Sequence, residues 1–169
     1  ARLGIESKVV MPNGTPFIKL AKTKAYGAEV IVYGNNVDES KVHALELAAA
    51  HGYTMIQPFD DPYIIAGQGT IAYEMLEDQP DLDVILVPIG GGGVCAGIAI
   101  AAKALKPTLK IYGVESAKYP SMSQAIRGEP NEVGGNTLAE GIAIKHPGQM
   151  TLPIIKALVE DIIIVEEEE

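Results

Sequence analysis

Four consecutive glycines at positions 90–93 constrain this chain more than any other feature. An apolar run at residues 84–89 precedes them and predicts a strand, and the small and apolar residues at 94–105 predict a helix. Glycine takes either sign of φ without steric cost and lets backbone N–H groups approach a ligand closely. A helix N-terminus adds unpaired N–H donors and the positive end of the helix dipole. This order of strand, glycine loop and helix therefore predicts an anion site, most often one for phosphate.

The first third of the chain alternates predicted strands with predicted helices. Its second helix carries Val42, Leu45 and Ala49 at the spacing of a buried face. Alternation at this interval predicts a parallel sheet connected by right-handed crossovers. The expected elements are strands at residues 8–11, 29–33 and 53–57 and helices at residues 16–26 and 38–50.

The segment Pro58-Phe59-Asp60-Asp61-Pro62 interrupts this alternation and predicts a domain boundary between residues 59 and 60. Residues 1–59 are expected to form a smaller α/β domain, with residues 1–4 as the last turn of a truncated helix. Residues 60–169 are expected to form the central part of a larger domain. The predicted fold class is α/β, with two open, mainly parallel sheets and helices on both faces. The further elements expected after the boundary are helices at 64–76 and 121–127, strands at 110–115 and 162–165, and a helix containing Pro153.

Composition excludes several classes of function. The net charge is −9, and no basic patch is present that would favour nucleic acid. No run of residues is long and apolar enough for a membrane span. The single cysteine, Cys95, cannot form an internal disulfide, and its apolar surroundings predict a buried structural thiol. This cysteine usage is typical of a reducing compartment, so we expect a cytoplasmic protein.

The glycine loop is compatible with more than one phosphate ligand. A nucleoside-triphosphate loop ends in a lysine and a serine or threonine, and residues 90–97 contain neither. A dinucleotide site stays open, because residues 91–96 fit the pattern G-x-G-x-x-A and Glu115 ends the next strand where an acid would bind ribose. A strand-end carboxylate that faces solvent or pairs with Lys118 accounts for Glu115 equally well.

The glycine loop and its surroundings resemble a known family of enzymes. The run of residues 87–99, VPIGGGGVCAGIA, is similar to the tetraglycine phosphate loop of the threonine dehydratase and serine racemase branch of fold-type II pyridoxal-phosphate enzymes. The resemblance covers nearly the whole chain, with its motifs in family order. These motifs are VMP at 10–12, AYGAEV at 25–30, PFDDP at 58–62, IAGQGT at 65–70, GVE at 113–115 and LAEG at 138–141.

The resemblance implies a cofactor site for pyridoxal 5'-phosphate and no catalytic residue in this chain. The Schiff-base lysine and the substrate-gripping loop of the family would precede residue 1, and the partner of the pyridine nitrogen would follow residue 169. Ser121 stands where a second metal-binding acid would be expected, so no metal ligand is assigned. The residues implied to bind the cofactor are Gly90, Gly91, Gly92, Gly93, Val94 and, beside its ring, Gly141.

The resemblance also implies an activity for a longer parent protein. That activity is the dehydration of L-threonine or L-serine to a 2-oxo acid and ammonia, with the smaller domain closing as a lid, in a cytoplasmic homo-oligomer that serves isoleucine biosynthesis. The 169-residue chain by itself is expected to be inactive. Three alternatives stay open: a serine racemase of the same family, an NAD-dependent oxidoreductase using Gly91, Gly93 and Glu115, and a non-catalytic phosphate-binding fragment.

Overall fold

A computed structural model describes residues 4–168, except for the side chain of Asp38. The chain divides between Ile56 and Gln57 into two compact units, and each unit contains its own parallel sheet. The helical turn predicted at residues 1–4 lies, apart from Gly4, outside the described residues.

The first unit contains a two-stranded parallel sheet, in which Lys8 pairs with Glu29 and Met11 pairs with Val32. The strand predicted at residues 53–57 is absent, because this segment forms no ladder with either strand. The amide of Tyr53 instead donates to Ala48 O at 3.0 Å, at the end of the preceding helix. A strand needs a neighbouring strand, which local composition does not reveal. The elements are β1 Lys8–Met11, α1 Phe17–Ala25, β2 Glu29–Val32 and α2 Val37–His51.

Helix α2 presents a different face to its sheet from the predicted one. Val42 and Leu45 are 57% and 43% exposed, and Ala49 is exposed as well. The buried Ser40 donates its hydroxyl to Tyr33 O at 2.7 Å, and the ring of His43 stacks on the Tyr33 ring. The side of α2 that carries Ser40 and His43 therefore contacts Tyr33, and the predicted apolar stripe is exposed.

The second unit contains a three-stranded parallel sheet in the order β3-β4-β5. Its core lies between this sheet and α5, whose residues are mostly buried. The largest fully buried side chains include Ile89, Leu109 and Ile111. The elements are α3 Pro62–Gln68, α4 Thr70–Asp78, β3 Val84–Pro88, α5 Gly93–Leu105, β4 Lys110–Ser116, α6 Ser121–Arg127, the 3-10 turn Glu140–Ile142, α7 Thr151–Leu158 and β5 Asp161–Val165.

The single helix predicted at residues 64–76 is interrupted at Gly69, which separates α3 from α4. Gly69 packs against the backbone of α5, because a Cβ at Gly69 would lie 3.1 Å from Gly97 O. A Cβ at Gly97 would in turn overlap Ile65 O. The two glycines therefore let α5 approach the junction of α3 and α4 at backbone distance.

The two sheets are parallel and carry helices on both faces, so the predicted fold class is confirmed. In the second unit the glycine loop follows the carboxyl end of β3, the edge of a parallel sheet where ligands bind. Among residues 4–168, no helix has the length and apolar character that crossing a membrane requires.

Candidate functional site

The glycine loop is a short connection between β3 and the first turn of α5. Ile89 is buried, and its amide extends the pairing with β4 by donating to Val114 O at 2.8 Å. Gly92 has φ +96°, in the left-handed region, and is the N-cap of α5. The first helical hydrogen bond runs from the Ala96 amide to Gly92 O at 2.8 Å. The positive φ at Gly92 is the one position in this turn that demands glycine on conformational grounds.

The peptide that joins Gly91 to Gly92 is held from inside the protein. Its carbonyl oxygen accepts hydrogen bonds from Thr151 Oγ1 at 2.6 Å and from the Gly148 amide at 3.1 Å. In a trans peptide the carbonyl and the following N–H point in opposite directions. The Gly92 amide therefore points away from Thr151 and Gly148.

The amides of the loop are donors without a partner in the part of the chain that the structure describes. Within the described residues, the N–H groups of Gly90, Gly91, Gly92, Gly93 and Val94 donate to no protein acceptor. Gly91, Gly92 and Gly93 are buried. A buried amide without a partner costs about as much free energy as a lost hydrogen bond. These donors lie at the positive end of a 13-residue helix. The arrangement can bind an anion without a basic side chain.

Neighbouring residues pack tightly against every glycine of the loop. A Cβ at any of the four would overlap or crowd another atom, so the loop can hold no larger residue without moving its surroundings. The contacting residues are Phe59 for Gly91 and Gly93, Met122, Thr151 and Ile155 for Gly92, and Ile142 and Ile144 for Gly90.

Sequence reasoning missed three residues that hold this site, Phe59, Asp60 and Thr151. Phe59 packs on Gly91 and Gly93, and the carboxylate of Asp60 accepts hydrogen bonds from three amides at the start of α7. The sequence of this segment predicts a domain boundary, and its acidic residues before a proline are also a capping signal. That signal identifies only Asp61, which accepts from Tyr63 N at 2.8 Å and begins α3.

Glu115 is placed differently from both predictions for it. Its side chain is fully buried, and its two carboxylate oxygens accept hydrogen bonds from Met122 N at 2.8 Å and Ser123 N at 3.0 Å. Burial raises the pKa of Glu115 to about 7, against the opposing effect of the two amides. A carboxylate engaged in this way neither faces solvent nor reaches a ribose hydroxyl. The dinucleotide alternative therefore lacks an acidic side chain at Glu115 that could bind a ribose hydroxyl.

Cys95, on the first turn of α5, is fully buried, as predicted. Burial raises the pKa of its thiol to about 12, and the nearby Glu115 acts in the same direction. A thiol in this environment stays protonated and is a weak nucleophile. Cys95 therefore fills space below the loop and takes no chemical role.

Gly141 is brought close to the glycine loop. It lies in the exposed 3-10 turn, and a Cβ added to it would meet open space. The next residue, Ile142, lies beside Gly90. Ile144 is fixed by the hydroxyl of Ser121, which donates to Ile144 O at 2.9 Å. The segment that carries Gly141 therefore forms one wall of the loop.

Within residues 4–168, no three histidine, cysteine, aspartate or glutamate side chains lie close enough together to hold a metal ion. The hydroxyl of Ser121 is buried and bonded to the backbone.

Comparison with known proteins identifies the family. The family described as "Pyridoxal-phosphate dependent enzyme" matches residues 1–169. An L-threonine ammonia-lyase of Geobacter sulfurreducens is 47% identical over 169 residues, covering 99% of this chain and 42% of that protein. The catabolic L-threonine dehydratase of Escherichia coli (strain K12) is 44% identical over 171 residues, covering 100% of this chain and 52% of that protein.

A solved structure agrees with these relatives. The structure of maize serine racemase matches with a TM-score of 0.93 at 32% identity, covering 99% of this chain and 51% of that chain. The present chain thus spans about half the length of the proteins it matches. A family match along the whole sequence, at the fold predicted for it, makes this chain a member of the pyridoxal-phosphate dependent enzyme family.

Proposed function

We propose that this chain binds the phosphate group of pyridoxal 5'-phosphate through the amides of Gly90, Gly91, Gly92, Gly93 and Val94, as part of a threonine ammonia-lyase. One observation carries the proposal: these amides have no partner among residues 4–168 and lie at the positive end of α5. A phosphate dianion would accept several charge-assisted hydrogen bonds from them at once. The family match names the cofactor that brings such a phosphate.

The residues around the loop fit this cofactor. The loop offers five backbone amides as donors, and Phe59 supplies an apolar wall beside Gly91 and Gly93. Gly141 lies in an exposed turn next to the loop, with room above it. We assign Gly141 to the side of the cofactor ring. When bound, the cofactor supplies the electron sink for chemistry at the amino acid's α-carbon.

The proposed work of this segment is to bind and orient. The loop anchors the phosphate end, and the backbone around Gly91 is fixed from the side opposite to the ligand by Thr151 and Gly148. A rigid anchor at one end of the cofactor sets where its reactive carbon lies, which is the positional part of catalysis. No acid, base or nucleophile for the reaction is assigned to this chain.

The substrate class we propose is L-threonine, with L-serine as the second possibility. Two relatives whose names state threonine ammonia-lyase or threonine dehydratase are 47% and 44% identical to this chain. The serine racemase is 32% identical, so we rank racemisation second. The lid role of residues 1–59, a cytoplasmic location, homo-oligomerisation of the whole protein and a place in isoleucine biosynthesis stay predictions.

The proposal is tested by removing a single amide donor. Val94 is the second residue of α5, its side chain is 38% exposed, and its amide has no intrahelical acceptor. Proline is tolerated in the first turn of a helix, so Val94→Pro removes the donor and keeps the helix. We expect about a tenfold higher Kd for pyridoxal 5'-phosphate, since one charge-assisted hydrogen bond contributes about 1.5 kcal/mol. Val94→Ala keeps the amide and should bind within about twofold of the unchanged chain.

Three further titrations separate the alternatives. Pyridoxal without phosphate should bind far more weakly than the phosphate ester and should not distinguish Val94→Pro from Val94→Ala. Equal affinity for inorganic phosphate and pyridoxal 5'-phosphate would favour a bare phosphate site over a cofactor site. Tight binding of NADH without any response to pyridoxal 5'-phosphate would contradict the proposal.

A further inference from the structure

Thr151 is the first residue of α7, and its side chain is fully buried beneath the glycine loop. Its hydroxyl lies 2.6 Å from Gly91 O and 3.3 Å from Gly148 O. A threonine hydroxyl carries one proton and can donate it to only one acceptor at a time. The shorter distance assigns that proton to Gly91 O.

This hydrogen bond controls the direction of a donor on the other side of the peptide. With its carbonyl held by Thr151 and by the Gly148 amide, the peptide from Gly91 to Gly92 cannot rotate, and the Gly92 amide is kept pointing away from α7. The peptide needs this support because Gly92 has no side chain to restrict its φ of +96°.

The carboxylate of Asp60 holds the backbone around Thr151 in place. Its Oδ2 accepts from Gln149 N at 2.9 Å, and its Oδ1 accepts from Met150 N at 2.9 Å and Thr151 N at 3.3 Å. These amides are the ones that a helix leaves unpaired at its start. Asp60 thus sets the position of the backbone from which the Thr151 hydroxyl reaches the loop.

We infer that Thr151 is a positioning residue for the phosphate loop, with Asp60 as its support, and that it acts by orienting the Gly92 amide toward the bound phosphate. The inference rests on the proposed function, because it names the residue that shapes the same anion site. The role belongs to the hydroxyl proton of Thr151, and the threonine methyl group takes no part in it.

The experiment compares three substitutions in the full chain. Thr151→Val keeps the volume and removes the hydroxyl, Thr151→Ala removes it with a strong helix former, and Thr151→Ser keeps it. Each is titrated with pyridoxal 5'-phosphate and with pyridoxal, and circular dichroism checks the fold. We expect Thr151→Val and Thr151→Ala to bind the phosphate ester about five to ten times more weakly, with pyridoxal unchanged. Thr151→Ser should bind both within about twofold of the unchanged chain.

A second readout does not depend on the ligand. In NMR spectra of the labelled chain, Thr151→Val should shift the carbonyl carbon of Gly91 and the amide of Gly92, and Thr151→Ser should restore both. The inference is overturned if these signals stay unchanged, or if Thr151→Val weakens the two ligands equally. The proposed function fails in a different way, namely if the unchanged chain binds pyridoxal 5'-phosphate no better than pyridoxal.

Discussion

The N-termini of α5 and α7 lie close together, but they are satisfied differently. At α7, the carboxylate of Asp60 accepts from the amides of residues 149–151. At the N-terminus of the neighbouring α6, the carboxylate of Glu115 accepts from the amides of Met122 and Ser123 in the same way. At α5, no described side chain accepts from the amides of residues 90–94. The chain's own carboxylates thus pair with the first amides of α6 and α7, whereas the first amides of α5 have no such partner among the described residues.

The difference shows where an external anion would be accommodated. A carboxylate from the chain neutralises the positive end of a helix and pairs its free amides. The same potential at α5 stays available, and the two carboxylates nearby already have their own amide partners. Selectivity for phosphate at α5 thus depends on keeping internal acids away from that one helix end as well as on the glycines themselves.

Giving α5 an acid of its own should remove its preference for an external anion. Val94→Asp places a carboxylate in the first turn of α5. A unit charge about 5 Å from a bound phosphate opposes it by about 3 kcal/mol at an effective dielectric constant of about 20. We expect about a hundredfold weaker binding of pyridoxal 5'-phosphate, with little change for pyridoxal. Isothermal titration of both ligands measures the effect.

Val94→Asn is the matched control for this change, because it has the same size without the charge. It should bind the phosphate ester within a few-fold of the unchanged chain. Added salt should recover part of the loss in Val94→Asp, since screening weakens the repulsion. Equal losses in both variants would show that the open end of α5 does not select by charge.

The buried carboxyl group of Glu115 at the N-terminus of α6 predicts that the stability of the second unit depends on pH. Burial raises the pKa of Glu115 from its ordinary 4.5 to about 7. The contribution of its neutral form is therefore fully present below about 4.5 and is lost as pH rises through about 7. Between pH 5 and pH 7 the loss is about 2 kcal/mol in free energy of unfolding. Glu115→Gln cannot ionise, so its stability relative to the unchanged chain should rise across this interval.

Urea unfolding at several pH values, followed by signals from the second unit, measures this difference. Glu74→Gln, at an exposed position on α4, is the control and should track the unchanged chain. A constant difference between Glu115→Gln and the unchanged chain from pH 5 to pH 8 would contradict the prediction.

The sequence predicted the parts of the structure that depend on neighbouring residues. The order of β3, glycine loop and α5 follows from an apolar run, four glycines and a helix-forming run, all within 22 residues. The predicted strand at residues 53–57 was wrong because strand pairing depends on a partner elsewhere in the chain. The break at Gly69 was missed because its cause is the approach of Gly97, 28 positions away in a different helix.

The same distinction applies to the site. The glycines could be named from the sequence, but the residues that hold them could not. Asp60 and Thr151 are 91 positions apart, and the bond from Thr151 to Gly91 spans 60 positions. No periodicity or motif joins residues at these separations. The direction in which Glu115 points was equally undetermined, because its amide partners belong to the following helix.

The smallest effect is expected at the N-terminus of α7, where Asp60 pairs with the first amides. Asp60→Asn leaves one acceptor oxygen for three amides that both carboxylate oxygens now serve. We expect the free energy of unfolding to fall by about 1–2 kcal/mol. Asp61→Asn, one residue away, is the control, since Asp61 caps α3 with a single oxygen and asparagine caps as well as aspartate. Its loss should stay below about 0.5 kcal/mol. Equal losses in urea unfolding would mean that the second oxygen of Asp60 adds no stability, whereas a larger loss for Asp60→Asn would show that both its oxygens are needed at the start of α7.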